Sequence, residues 1–341
     1  MKKFLLILTL VILGCSAPVQ LIVGTPTPIP SEVPTPTATL IPVPTPPTTA
    51  ELGTDKNPLI LALAPSSRND EDVLTAGETI AAQLESLTGF KIVAVAPTTE
   101  LELVEDFGKG NAHIAVLSPF GYLLAFENQY VTAALASVRN DQTLYGAQFI
   151  VNRDSEFQPF YDEARGENTA EAEDALIQFK DKKPCWSDKA SPSGYVVPLG
   201  LLNQAKVPVR SGAFLEGQPS VVRAVYNADI CDFGATFIDA RQSPALEASY
   251  SDVLDRVTVI WRIPAIIPYE NVSFSRRLPL EMRRVLLRAF VDLMVTPEGK
   301  AAMQTVYGID TLQPADDTLY SEFEKYVKAS KLSLEELINT P

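Results

Sequence analysis

The stretch that decides the fold runs from Pro58 to Pro119: "PLILALAPSSRNDEDVLTAGETIAAQLESLTGFKIVAVAPTTELELVEDFGKGNAHIAVLSP". It alternates between two kinds of segment. Three short apolar runs, "PLILALAP", "FKIVAVAP" and "AHIAVLSP", each stop at a proline. Between the first two, Val73, Leu74, Ile80, Leu84 and Leu87 recur at helical spacing and Gly89 ends the run. "ELELVEDFGKG" repeats that pattern before the third. Strands that are apolar throughout are buried on both faces, so β-α-β-α-β in this form predicts an α/β fold with a mainly parallel sheet. Such sheets bind ligands outside the carboxyl ends of their strands. The loops to inspect are therefore Pro65-Ser66-Ser67, Pro97-Thr98-Thr99 and Ser118-Pro119-Phe120.

Downstream, "FGYLLAFENQ" reads as a helix and "QFIVNRDS" as a strand. A second α/β unit follows. "DEARGENTAEAEDALIQFKDKK" reads as an acidic surface helix region, then come a strand at Cys185, a helix from Ser193 and a strand "AKVPVRSG". The helix "QPSVVRAVYNAD" and the strand "CDFGATFID" complete it. "RVTVIWRIPAIIP" returns toward the first unit, and "PLEMRRVLLRAFVDLMV", "TPEGKAAMQTVYGID" and "SEFEKYVKAS" read as helices. The expected organisation is a first lobe from 56 to 151, a second from 152 to 263, and a return to the first over 264–341, with a ligand cleft between the lobes.

The N-terminus is not part of this fold. Lys2-Lys3 precedes an unbroken apolar run, Phe4 to Leu13, too short to span a bilayer. A small residue and a cysteine follow at Gly14-Cys15. This pattern resembles a lipoprotein signal over 1–14, with cleavage before Cys15 and lipid on its sulfur. An ordinary secretory signal is the alternative, and both place the chain outside the cytoplasm. Residues 15–55 then form a Pro/Thr-rich linker, suited to extended polyproline II. Its proline-rich part would reach ~80 Å at ~3.1 Å per residue, enough to hold a domain off a membrane.

Bulk composition narrows the function. Acidic residues outnumber basic ones 42 to 28, for a net charge of −14 over 341 residues. No basic footprint for nucleic acid is present. One histidine, His113, leaves no material for a Ser-His-Asp triad or a multi-histidine metal site, so a hydrolase is disfavoured and no cofactor or metal is expected. His113 lies in an apolar strand and reads as a core residue. Arg276-Arg277 and Arg283-Arg284 read as a solvated helix face. Cys185 and Cys231 either pair or stay as separate buried thiols; an oxidising compartment favours the pair.

"KPCWSDKASPSGYVVP", Lys183 to Pro198, carries the chemistry. Ser191 suits an N-cap and Pro192 the first helical position. A helix start also leaves N–H groups unpaired and positively polarised, and Ser hydroxyls beside Gly194 would make it an oxyanion site. Cap and anion site use the same atoms. Pro198 and Gly200 fall early in the helix, which predicts an irregular first turn. Trp186 and Tyr195 either wall a cleft or fill a core.

From about Asn57 to Ile309 the chain resembles the phosphate/phosphite/phosphonate-binding proteins of bacterial ABC importers. The resemblance rests on Ser191-Pro192-Ser193-Gly194-Tyr195 followed by Val196-Val197-Pro198, on "AHIAVLSPFGYLLAFE", on "LYGAQFIVNRDS" with Tyr145, on "SVVRAVYNADICDFGATF", and on "VIWRIPAIIPYENVSF". It implies the two-lobed type 2 periplasmic-binding-protein fold. It also implies an oxyanion site built from Ser191, Ser193, Gly194, Tyr195, Ser118, Tyr145, Ser66, Thr99 and Gln218. Pro192, Gln218 and Thr99 stand where the family shows Thr, often His, and Tyr. Asp239 and Glu270 fall where relatives that bind amine-bearing phosphonates grip the ammonium; their bland alternative is a turn cap and a solvated carboxylate. The expected partners are a phosphonate- or phosphate-like anion, an ABC permease with its ATPase, and the membrane through a lipid on Cys15. No nucleic acid is expected, and a monomer is the default. The alternative function is a ligand-sensing module that signals to a membrane receptor.

Overall fold

The computed structural model describes residues 52–64 and 70–339. The signal, Cys15, Ser66 and the linker up to residue 51 lie outside the described residues; residues 52–55, expected as linker, belong to the fold, with Leu52 against the core and Lys91 N–H donating to Gly53 O at 2.8 Å. In chain order the strands are β1 (Leu59–Ala62), β2 (Ile92–Val95), β3 (Ile114–Leu117), β4 (Val131–Val138), β5 (Leu144–Asn152), β6 (Tyr161–Asp162), β7 (Glu167–Asn168), β8 (Pro184–Trp186), β9 (Ala213–Phe214), β10 (Phe233–Phe237), β11 (Val257–Pro268), β12 (Asn271–Ser275) and β13 (Thr311–Pro314). The helices are α1 (Asp70–Thr88), α2 (Glu100–Lys109), α3 (Pro119–Glu127), α4 (Ala172–Leu176), α5 (Val197–Gln204), α6 (Gln218–Asn227), α7 (Pro244–Glu247), α8 (Val253–Arg256), α9 (Leu280–Leu293), α10 (Pro297–Tyr307), α11 (Ser321–Ser330) and α12 (Leu334–Ile338).

Two sheets follow one plan. The first has the order β13-β4-β12-β3-β1-β2, with β3, β1 and β2 parallel and the other pairings antiparallel. The second has the order β11-β5-β10-β8-β9, with β10, β8 and β9 parallel and β5 antiparallel to both its neighbours. Five of the six parallel strands are those predicted from the crossover pattern; the sixth, β9, begins just after the expected strand at 205–212. Each sheet is mixed, not mainly parallel, because the chain enters and leaves each lobe on antiparallel strands.

Both faces of each sheet are buried, as the unbroken apolar strands require. Leu59, Leu61, Ile114 and Val116 pack into one core with Leu84, Leu286 and Met303. Their neighbours Ala62, Ala115 and Leu117 point the other way, into a core with Leu103 and Phe107 of α2. This is the period of two that a pleated strand imposes. In β5, Phe149 and Val151 join that second core while Ile150 faces Val221 and Val225 of α6. Each such side chain contributes about 1.5–3 kcal/mol by leaving water.

The crossings between sheets lie elsewhere than the pattern suggested. β5 belongs to the second sheet, so the outward crossing is the polar turn at 139–143, not residue 152. Arg139 and Gln142 exchange backbone hydrogen bonds of 2.9 and 3.0 Å around Asn140 and Asp141, whose φ values are 50° and 60°. Asn and Asp tolerate that left-handed backbone, which a two-residue turn of this type needs. The return falls at Tyr269-Glu270, not 264. Pro264 instead sits in a register shift of β11 between Ile263 and Ile267, where a missing N–H is tolerated. The two crossings run side by side: Pro268 pairs with Leu144, and Asn271 with Ala136.

Other local expectations differ too. Residues 161–168 form the β6–β7 ribbon instead of helix, because Gly166 with its φ of 70° turns the chain. The expected strand "AKVPVRSG" is irregular, and only Ala213–Phe214 pairs with β8. The alanine-rich β4, and β13 and α12, carried no clear pattern.

Candidate functional site

A cavity of about 1060 Å³ lies between the two sheets. Glu100, Ser118, Pro119 and Phe120 line it from the first-sheet side. Tyr145, Ser191, Pro192, Ser193, Gln218 and Phe237 to Asp239 line it from the second. The crossings themselves contribute Arg139, Asn140, Gln142, Tyr269 and Glu270, and α12 contributes Leu337 and Ile338.

The Ser191 stretch forms its wall through a specific local geometry. β8 ends at Trp186, and Ser191 takes an extended backbone with φ −81° and ψ 116°. Pro192 to Val196 then make a π-helical turn, closed by Val196 N–H donating to Ser191 O at 3.0 Å, before α5 begins. This is the irregular first turn that Pro198 and Gly200 foretold. Ser191 Oγ accepts from Gly194 N–H at 3.0 Å, so this serine is the cap. Gln218 Nε2 donates to Ser191 Oγ and to Ser187 Oγ, both at 3.2 Å, and Gln218 Oε1 accepts from Phe237 N–H at 3.1 Å. One amide thus ties the turn to the ends of β8 and β10. Ser193 is 3% exposed and lines the cavity. Tyr145 lines the same cavity, and burial pushes its phenol well above its usual range. A helix's first turn leaves N–H groups without intrahelical acceptors, the kind of donor that an anion can accept from.

Three carboxylates share the cavity. Glu270 pairs with Arg139 at 2.7 Å. Arg139 also lies 5.1 Å from the Tyr269 ring, which stacks on Tyr145 at 4.9 Å. Asp239 pairs with Arg262 at 2.7 Å, and Arg262 lies 4.3 Å from the Tyr161 ring. Glu100 accepts from Ser118 N–H and Ser118 Oγ, each at 2.8 Å. Burial raises its pKa against the pull of those two bonds, and the charge of Glu270 raises it further. No Lys or Arg among the described residues pairs with Glu100. A Cβ at position 121 would collide with Glu100 Oε1, so Gly121 makes room for this carboxylate at the start of α3.

The structure brings Ser118, Tyr145, Ser191, Ser193, Gln218, Asp239 and Glu270 to one cavity. Three expected residues do not line it. Thr99 is the N-cap of α2, accepting from Glu102 N–H. Gly194 is buried behind the turn, its N–H already taken by Ser191. Tyr195 packs between Trp186 and Phe214, at 5.4 and 4.9 Å, so Trp186 is core and Tyr195 is half-buried against it. His113 is also core, its Nδ1 accepting from Ile60 N–H at 3.0 Å. Arg276 is no mere surface charge: its Nε donates to Val131 O at 2.7 Å. Cys185 and Cys231 form a disulfide, with Cα atoms 5.6 Å apart. Sequence reasoning missed Glu100, Arg139 and Tyr269. Glu100 follows directly on the Pro97–Thr99 loop flagged as a strand end, so the signal was one residue away. Arg139 and Tyr269 lie in the crossings, which no periodicity marks.

Comparison with known proteins bears on the fold and the family. The family model described as "ABC transporter, phosphonate, periplasmic substrate-binding protein" matches residues 63–320. The phosphate-import protein PhnD of Mycolicibacterium smegmatis is 29% identical over 191 residues, 52% of this chain and 54% of that protein. The chain thus spans about half the length of that curated relative. Among solved structures, XAC2383 from Xanthomonas citri, bound to ATP, superposes with a TM-score of 0.58 at 13% identity, covering 82% of this chain and 99% of that one. Mh-p37 of Mycoplasma hyorhinis gives 0.52 at 8% identity, over 80% and 98%. These structures share the fold: two lobes, each a mixed sheet flanked by helices, of the periplasmic-binding-protein type. By the match over residues 63–320, the chain belongs to the phosphonate substrate-binding protein family of ABC transporters.

Proposed function

We propose that the chain is an extracytoplasmic solute-binding lipoprotein. It captures a phosphonate- or phosphate-like oxyanion in the cavity between its lobes and delivers it to an ABC importer, held to the membrane by lipid on Cys15. The observation that carries this reading is the turn at Ser191–Val196, with the buried Ser193 hydroxyl and Tyr145 at the cavity wall. The anion is met by hydroxyls, first-turn N–H groups and Arg139 in place of the expected run of hydroxyls. Gln218 acts indirectly: it fixes Ser191 and leaves the cavity to Ser193.

The expected ammonium grip of Asp239 and Glu270 takes a modified form. Each already has an arginine within 2.7 Å, so neither offers an uncompensated charge. Glu100 does. A bare dianion facing it would be repelled, whereas a ligand that brings an ammonium or an acidic P–OH to that end is favoured.

Titration calorimetry of the full chain with phosphate, phosphite, methylphosphonate and 2-aminoethylphosphonate tests the reading. Binding of at least one in the micromolar range or tighter is expected. Failure of all four would sink it. Tightest binding of the aminophosphonate would assign the ammonium to Glu100, and preference for phosphate or phosphite would assign a P–OH.

A further inference from the structure

The part of the chain matched to the family ends at residue 320, and α12 lies beyond it. Its sequence, "LEELI", puts Leu334, Leu337 and Ile338 at helical spacing with Glu335 and Glu336 between them. The apolar side meets the first-sheet wall, where α12 packs on α3. Leu337 is 5% exposed and shares a core with Phe120 and Leu123 of α3. Ile338 is half-buried against that core, and both residues line the cavity. Glu335 instead lines a separate groove with Glu127 of α3 and Lys328 of α11. The second-sheet wall presents Phe237, 39% exposed, and Ile238 to the same cavity. The lining is thus of two kinds. Ser118, Tyr145, Ser193 and Arg139 offer hydroxyls and a charge. Phe120, Leu337, Ile338, Phe237 and Ile238 offer neither. The volume of about 1060 Å³ lies at the upper end of the ~300–1,000 Å³ that holds drug-sized ligands. Closing the lobes on a ligand would shrink that volume and leave the character of the lining unchanged.

We infer that α12 and Phe237 form an apolar subsite, and that the ligand is an organophosphonate or phosphate monoester carrying an apolar arm of several carbons, not a bare inorganic anion. The inference rests on the proposed function, which supplies the anionic head group, and adds what the head group carries. An inorganic anion would leave Ile338 and Phe237 facing water inside the cavity. An arm laid between them removes apolar surface from water on ligand and protein together. Each methylene so buried tightens binding about fourfold. α12 meets the uncharged part of the ligand because the two residues it gives to the cavity are both aliphatic, while its Glu335 lies in the other groove.

The test is calorimetric titration of the full chain with methylphosphonate and n-propylphosphonate, two methylenes apart. The parent is expected to bind the propyl compound about 15-fold more tightly. Ile338→Ser is expected to cut that ratio at least threefold. The readout is the ratio within each variant, so a loss of affinity common to both ligands cancels. If Ile338→Ser does not fold, Ile338→Ala removes apolar surface from the same wall without adding a polar group. A parent ratio of about twofold or less, or a ratio that is the same in parent and variant, would overturn the inference while methylphosphonate still binds. Failure of both compounds to bind would overturn the proposed function, and this inference with it.

Discussion

Two serines two residues apart separate the two uses of the helix start. Ser191 Oγ accepts from Gly194 N–H and from Gln218, and its work is structural. Ser193 is buried and lines the cavity with Tyr145. Ser191→Ala removes an N-cap, which destabilises by about 1 kcal/mol within a range of roughly 0.5–2. For a protein of this size that lowers Tm by about 2–4 °C. Ser193→Ala loses one bond to a charged ligand, about 1.5–3 kcal/mol of affinity. That is about a 10- to 150-fold rise in Kd. Thermal melts and calorimetric titration with the tightest of the four phosphorus anions give both numbers for both variants. The expected pattern is that Ser191→Ala moves Tm with little change in Kd, while Ser193→Ala moves Kd by at least tenfold. A Ser193→Ala protein whose Kd stays within about twofold of the parent would show that the turn is only a cap and that the anion sits elsewhere.

Glu100→Gln is expected to weaken 2-aminoethylphosphonate about tenfold more than methylphosphonate, the scale of one charged hydrogen bond; equal losses on both would remove its role toward the ammonium. Asp239→Asn breaks a half-exposed pair with Arg262, and its expected effect on stability is below about 1 kcal/mol by denaturant midpoint. The raised pKa of Glu100 sets a pH slope. The group binds its proton more tightly folded than unfolded, so its contribution is full below its ordinary 4.5 and is lost as pH rises through the folded value. The stability difference between Glu100→Gln and the parent should therefore grow in the variant's favour from pH 4 to 7, and a flat difference would contradict the burial argument. Reducing the Cys185–Cys231 bond, which spans 46 residues, should cost about 4 kcal/mol by loop entropy; thiol counting on the unfolded, unreduced chain should find neither cysteine free.

What was legible in the sequence follows from what leaves a local signature. The parallel strands were readable because burial on both faces writes unbroken apolar runs, as in Ile114–Leu117. The π-turn was readable from Pro198 and Gly200. β4 was not: "VTAALASV" has three alanines in eight residues and is buried almost throughout, so it has neither alternation nor strong strand propensity. Among residues that line the cavity, Ser118, Ser193 and Tyr145 were flagged through strand ends and the family run. Tyr195 was misplaced because an aromatic beside a loop looks the same whether it faces a cavity or Trp186. Thr99 was misplaced because capping and ligand binding recruit the same hydroxyl. Arg139 escaped because its neighbours in space, Glu270 and Tyr269, lie some 130 residues away along the chain.

The crossings carry one further consequence. The segments about which the two lobes join also present Arg139, Gln142, Tyr269 and Glu270 to the cavity. On the proposed function, specificity and mechanics fall to the same few residues. A substitution there that re-selects the ligand also re-tunes the joint, so lineages that switch cargo must find changes that satisfy both demands at once. Positions on the lobe walls, such as Ser118 or Phe237, are free of that double duty, and divergence in ligand preference has its easier route there.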